Sequence, residues 1–132
     1  MTRDDLAELV EAARAARGKA YAPYSRYSVG AAVRGDDGCV YLGANIENAS
    51  YGLALCAERN AIAAAVMGGA KKIVAAAVVT STSPPAAPCG MCRQTFAEFA
   101  RELPIALVND HERVDVTLSE LLPRAFRSDS LP

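Results

Sequence analysis

Ile73–Thr80 runs through seven consecutive apolar residues before its first hydroxyl, with β-branched side chains at both ends. A strand of this kind shows no in-and-out alternation, so both of its faces have to be covered. In a chain of 132 residues, the cover has to come from helices on the two sides of a sheet. The flanking segments provide them. Arg3–Lys19 repeats Leu6, Leu9, Val10 and Ala13 at helical spacing, with Thr2 placed to cap its start and Gly18 near its end. Cys56–Met67 is an alanine-rich helix stopped by Gly68 and Gly69, and Gly90–Arg101 is another, turning Phe96 and Phe99 inward.

Between these lie the strand signals. Val29–Arg34 and Cys39–Gly43 read as a hairpin reversed by Gly35-Asp36-Asp37-Gly38, with Cys39 as a small buried hydrophobe. Leu103–Val108 and Val114–Val116 are short strands, and Ser119–Leu122 is a last helical turn. Tyr21–Ser28 is turn-rich, Asn45–Leu55 is an irregular stretch suited to binding, and Ser81–Pro88 is a loop carrying three prolines. Strands separated by helices imply a mostly parallel sheet with helices on its faces and one antiparallel hairpin at an edge. Residues 1–132 are expected to form a single domain.

Charge narrows the function. Fourteen Lys and Arg stand against fifteen Asp and Glu, a net charge of −1. A protein that grips nucleic acid or an anionic membrane on its own would carry a basic excess. No apolar run approaches a membrane span, and Asp4 and Asp5 sit where a secretory leader would be apolar. A cytoplasmic location is the expectation.

The four cysteines carry the chemistry. They stand at 39, 56, 89 and 92, too few and too uneven for a disulfide scaffold. Cys56-Ala57-Glu58 and Pro88-Cys89-Gly90-Met91-Cys92 each open a helix after a loop. One helical turn separates Cys89 from Cys92, so both sulfurs can face the same side. Helix N-termini favour the thiolate, which is the form that binds metal. Two such starts side by side could bring three thiolates round one zinc, leaving a fourth position open to water. Glu58, two residues from a ligand, could move protons beside that water. A closed structural zinc site would need a fourth protein ligand, for which only Cys39 and His111 are on offer; a redox dithiol would leave Cys56-Ala57-Glu58 unexplained.

Taken in order, Ala20-Tyr21-Ala22-Pro23-Tyr24-Ser25, Val29-Gly30-Ala31-Ala32, Asn45-Ile46-Glu47-Asn48, Cys56-Ala57-Glu58-Arg59, Pro88-Cys89-Gly90-Met91-Cys92-Arg93-Gln94 and Leu121-Leu122-Pro123-Arg124-Ala125-Phe126 resemble the small homotetrameric cytidine deaminases over nearly the whole chain. The resemblance implies an α/β fold, a three-layer α/β/α sandwich around a mixed, mostly five-stranded sheet. It implies hydrolysis of free cytidine and 2′-deoxycytidine to uridine and 2′-deoxyuridine with loss of ammonia. Cys56, Cys89 and Cys92 would hold one zinc per subunit, and Glu58 would carry protons between water, ring N3 and the departing amine. Asn45 and Glu47 would bind the ribose hydroxyls, the backbone at Ala57 would meet the base edge, and Tyr27 would line the pocket where relatives commonly have Phe. Tyr51 and Phe126 would reach the sites of neighbouring subunits in a homotetramer.

Three thiolates and Zn²⁺ sum to −1, which weakens the metal as a Lewis acid, so positive charge is needed nearby. Arg59, next to Glu58, is the expected donor to a thiolate. Two other readings use the same motifs: a deaminase of a cytosine-bearing antibiotic such as blasticidin S, and a non-catalytic zinc-stabilised scaffold. Asn45-Ile46-Glu47-Asn48, suited to ribose, speaks against the first.

Overall fold

The computed structural model describes residues 3–132, so the proposed cap at Thr2 lies outside the described residues. Five strands form one sheet: β1 Gly30–Gly35, β2 Val40–Ala44, β3 Ile73–Val79, β4 Pro104–Val108 and β5 Arg113–Thr117, in the spatial order β2-β1-β3-β4-β5. Helix α1, Arg3–Arg17, covers one face. Helices α2 Ala57–Met67, α3 Gly90–Phe99 and α4 Leu118–Leu121 cover the other. Among the described residues, no helix is long and apolar enough to cross a membrane.

The central run is β3, and its residues divide between two cores as a doubly covered strand requires. Ala75, Ala77 and Val79 join Ala32, Ala106 and Val108 under Leu6, Leu9, Val10 and Ala13 of α1. Ala76 and Val78 join Val33, Ile105 and Leu107 under Ala61, Ile62, Ala65 and Phe96. The three-layer α/β/α sandwich is therefore borne out.

Strand direction departs from the expectation. Only β3 and β4 pair in parallel; β1–β2, β1–β3 and β4–β5 are antiparallel. The helical crossovers do join parallel strands, β2 to β3 through α2 and β3 to β4 through α3. However, β1 inserts between β2 and β3, and β5 closes as a hairpin on β4. Parallel crossovers thus coexist with a mostly antiparallel sheet. A second correction concerns Cys39, which is exposed. The strand begins one residue later, at Val40, and Cys39 remains in the turn with its N–H donated to Asp37 Oδ1 at 3.1 Å.

One close approach positions the site. A methyl at Gly43 of β2 would fall 2.2 Å from the Ala57 carbonyl and 2.4 Å from the Ala61 nitrogen. Glycine at 43 therefore lets the first turn of α2 rest on the strand main chain. That turn carries Glu58.

Candidate active site

The two cysteine-led motifs meet where the sequence places their helix starts. Cys56 is the N-cap of α2 and Cys89 the N-cap of α3, both in extended conformation, and Cys92 lies in the first turn of α3. The sulfurs of Cys56, Cys89 and Cys92 all lie within 4.8 Å of one another, with Cys89 and Cys92 3.6 Å apart. Thiolates bind zinc at about 2.3 Å, which puts tetrahedral neighbours about 3.8 Å from each other. The trio fits that ion in donor type and spacing. Among the described residues the cluster has three members, so it offers no fourth protein ligand.

The thiols differ in their surroundings. Burial acts to raise Cys89, but donation from the Cys92 backbone, the Cys92 thiol, the Met91 backbone and the Cys56 thiol outweighs it and holds Cys89 below the ordinary thiol range. Cys92 is fully buried, and burial together with the negative fields of Glu58 and Cys56 pushes its thiol well up. A divalent cation would relieve the crowding of negative charge that opposes ionisation there.

Beside the sulfurs opens a cleft of about 290 Å³ lined by Tyr27, Asn45, Glu47, Ala57, Glu58 and Thr80, together with Cys56 and Cys89. Glu58 is only 6% exposed. Burial pushes its carboxyl up, partly opposed by its own backbone N–H and by the charge of Arg59. Among the described residues, the charged ones lining the cleft are Glu47 and Glu58, with no Lys, Arg or His. These features suit a neutral polar ligand whose reacting atom meets the sulfur-bound ion and one carboxyl group.

A model of the cytidine and deoxycytidylate deaminase zinc-binding region matches residues 3–106. The chain belongs to this deaminase family. A cytidine deaminase from Halalkalibacterium halodurans is 47% identical over 125 residues, covering 93% of this chain and 95% of the relative. One from Sporosarcina psychrophila is 43% identical over 129 residues, covering 96% and 95%. The crystal structure of cytidine deaminase from Burkholderia pseudomallei superposes with a TM-score of 0.87 at 47% identity, covering 96% of this chain and all of that one.

Within this family member, the fold gathers Cys56, Cys89, Cys92, Glu58, Ala57, Asn45, Glu47 and Tyr27 around one cleft. Asn45 and Glu47 also build its wall. Asn45 Oδ1 accepts from the Val29 N–H at 2.8 Å and Nδ2 donates to the Tyr27 carbonyl at 2.8 Å, fixing the entry into β1. Glu47 accepts from the backbone N–H groups of Tyr24 and Ser25 at 2.9 and 3.1 Å and from the Ser25 hydroxyl. The Ser25 hydroxyl and both N–H groups hold its carboxyl below the usual range against the opposing effect of burial.

Arg59, Tyr51 and Phe126 are not part of this cleft. Arg59 has a partner other than the expected thiolate: Nη2 donates to the Ala54 carbonyl at 3.4 Å, and its buried Nε has no hydrogen-bond partner. Helical side chains lean toward the helix N-terminus, which carries this one back over the preceding loop. Tyr51 packs edge-to-face on Tyr24 at 6.0 Å and lines an adjoining hollow that shares Glu47 and Ala54. Phe126 is 58% exposed.

Two buried polar residues escaped the sequence reading. Thr80 lines the cleft and takes the Ala86 N–H on its hydroxyl at 3.3 Å. Asn109 donates to the Thr82 carbonyl at 2.8 Å and accepts from the N–H groups of His111 and Glu112. Each directly follows one of the two parallel strands, at the carboxyl ends where open α/β sheets bind ligands, and that position was the available signal.

Proposed function

We propose that this chain hydrolyses free cytidine and 2′-deoxycytidine to the uridine nucleosides and ammonia, as a single-domain enzyme of pyrimidine salvage. The observation that carries this reading is the buried carboxyl of Glu58 in a nucleoside-sized cleft beside three thiols that fit one zinc. Cys56, Cys89 and Cys92 would hold that zinc, which when bound acts as a Lewis acid that readies water as a nucleophile. Glu58 takes a proton from the attacking water and passes it to ring N3. It then takes the proton of the new C4 hydroxyl and delivers it to the exocyclic amine as the C4–N bond breaks and the C4 carbonyl forms. The sheltered position of Glu58 keeps bulk water from intercepting these transfers. The backbone at Ala57 faces the base edge, Tyr27 packs on the base, and Asn45 and Glu47 take the ribose hydroxyls. Arg59 supplies positive charge beside the sulfur cluster.

The decisive assay is the ultraviolet absorbance change when zinc-loaded protein meets cytidine. Turnover of both nucleosides is expected, with blasticidin S left intact; zinc-loaded protein inert toward cytidine would overturn the proposal. The cleft also predicts discrimination against nucleotides. A 5′-phosphate would enter near the carboxylate of Glu47, where no Lys, Arg or His stands among the described residues of the cleft lining. Like-charge juxtaposition of this kind costs several kcal/mol. The kcat/KM for deoxycytidylate is therefore expected to lie about a hundredfold or more below that for 2′-deoxycytidine. Equal values would mean that the sugar end has been misassigned.

We further propose that the enzyme works in the cytoplasm as a homotetramer, with Tyr51 and Phe126 extending to the sites of neighbouring copies. Their exposures of 76% and 58% support this, since aromatic rings so open in one copy are available to another. Sedimentation of the active protein is expected to give four times the 13.8 kDa chain mass. An active monomer would refute the intersubunit roles.

A further inference from the structure

Arg93 is a cation in the first turn of α3, where the helix dipole disfavours positive charge. A local preference broken in this way points to function rather than helix stability. Its backbone N–H donates to the Cys89 carbonyl at 2.9 Å and its Nε donates to the Pro88 carbonyl at 2.7 Å. The first of these is the ordinary opening bond of the helix, and the side chain adds a hold on the peptide group that leads into Cys89. The arrangement matters because Cys89 is exposed, follows an irregular loop, and makes no side-chain cap bond of its own. The other end of the guanidinium is anchored as well. Nη1 donates to the carbonyl of Leu121, the last residue of α4, at 2.8 Å. Helix-end carbonyls lack partners within their own helix and suit a cation. The chain beyond α4 is tied to the same helix, since Gln94 donates to the Phe126 carbonyl and Arg127 to the carbonyls of Ala97 and Ala100.

We propose that Arg93 is a positioning residue for the metal-holding thiol of Cys89, anchored on the end of α4, so that zinc retention depends on a docked C-terminal segment. This rests on the reading of Cys56, Cys89 and Cys92 as the zinc ligands. The guanidinium reaches two carbonyls that belong to segments far apart in the chain, and an ammonium on a flexible stem lacks that planar fork. Loss of a group that orients a metal ligand typically costs ten- to a hundredfold in affinity.

The test is the rate of zinc release from the wild-type, Arg93→Ala and Arg93→Lys proteins, followed with a chromophoric chelator under reducing conditions. Release from Arg93→Ala is expected to be roughly ten- to a hundredfold faster. Millimolar guanidinium should slow it again, and Arg93→Lys should fall between. If Arg93→Ala does not fold, Arg93→Lys carries the comparison with the wild type. Release as slow as wild type from the folded variants would overturn the proposal. So would acceleration that guanidinium leaves unchanged, because general loosening of α3 would then explain it. Wild-type protein that takes up no zinc would overturn the ligand reading and this proposal together.

Discussion

Exchanging Glu58 for Gln is expected to lower kcat/KM for cytidine by about 10⁴-fold while leaving the bound zinc and the melting temperature close to those of the wild type. The two side chains have nearly the same shape, so neither a cavity nor an overpacked contact is created in the first turn of α2. The amide cannot accept the water proton or return it to N3 and the amine, and the other carboxyl lining the cleft, Glu47, is engaged by the N–H groups of Tyr24 and Ser25. General acid–base catalysis contributes typically 10² to 10⁴, and Glu58 serves in more than one transfer, which places the loss at the upper end. Steady-state kinetics with metal analysis on the same sample checks this. A variant that keeps a tenth of the activity with full zinc would remove Glu58 from the reaction.

The Cys92→Ala substitution is expected to abolish activity by a different route, weakening zinc binding about a hundredfold or more. A whole four-ligand thiolate or imidazole site is worth about 10–16 kcal/mol, so a single protein ligand is worth several. Cys92 is fully buried with its sulfur 3.6 Å from that of Cys89. Its loss leaves Cys56 and Cys89 without the closing donor, and alanine, unlike serine, cannot substitute weakly. The packing loss is small because a thiol is small. Thermal melts with and without added zinc separate the two effects. The wild type should gain stability from zinc, as any ligand of the native state confers, and the variant should gain less, by about 2.7 kcal/mol for a hundredfold loss of affinity. An equal gain in both would place the metal elsewhere.

Much of this was legible in the chain itself, for reasons that can be located. The unbroken apolar run of β3 demanded cover on both faces, and α1 opposite α2 and α3 supplies it. Cys56 and Cys89 announced two helix starts because residues at such starts share a local geometry that spacing reveals. Strand direction was not legible in the same way. The insertion of β1 between β2 and β3 is a choice of sheet order, and no residue in either strand encodes its neighbour. The partners of Arg59 and Arg93 were equally hidden. They are backbone carbonyls, at Ala54, Pro88 and Leu121, and a carbonyl carries no side-chain signature. Cys39 was misplaced by a one-residue shift of the hairpin, enough to move a side chain from core to solvent.

At Gly43, strand and helix touch through their main chains, with no side chain between them to trim or enlarge. The seam that seats Glu58 therefore offers evolution nothing to adjust. What the cleft admits can be reshaped only in its loops, at Tyr27 and at Ala86 and Ala87, above a corner whose spacing is fixed by main chain.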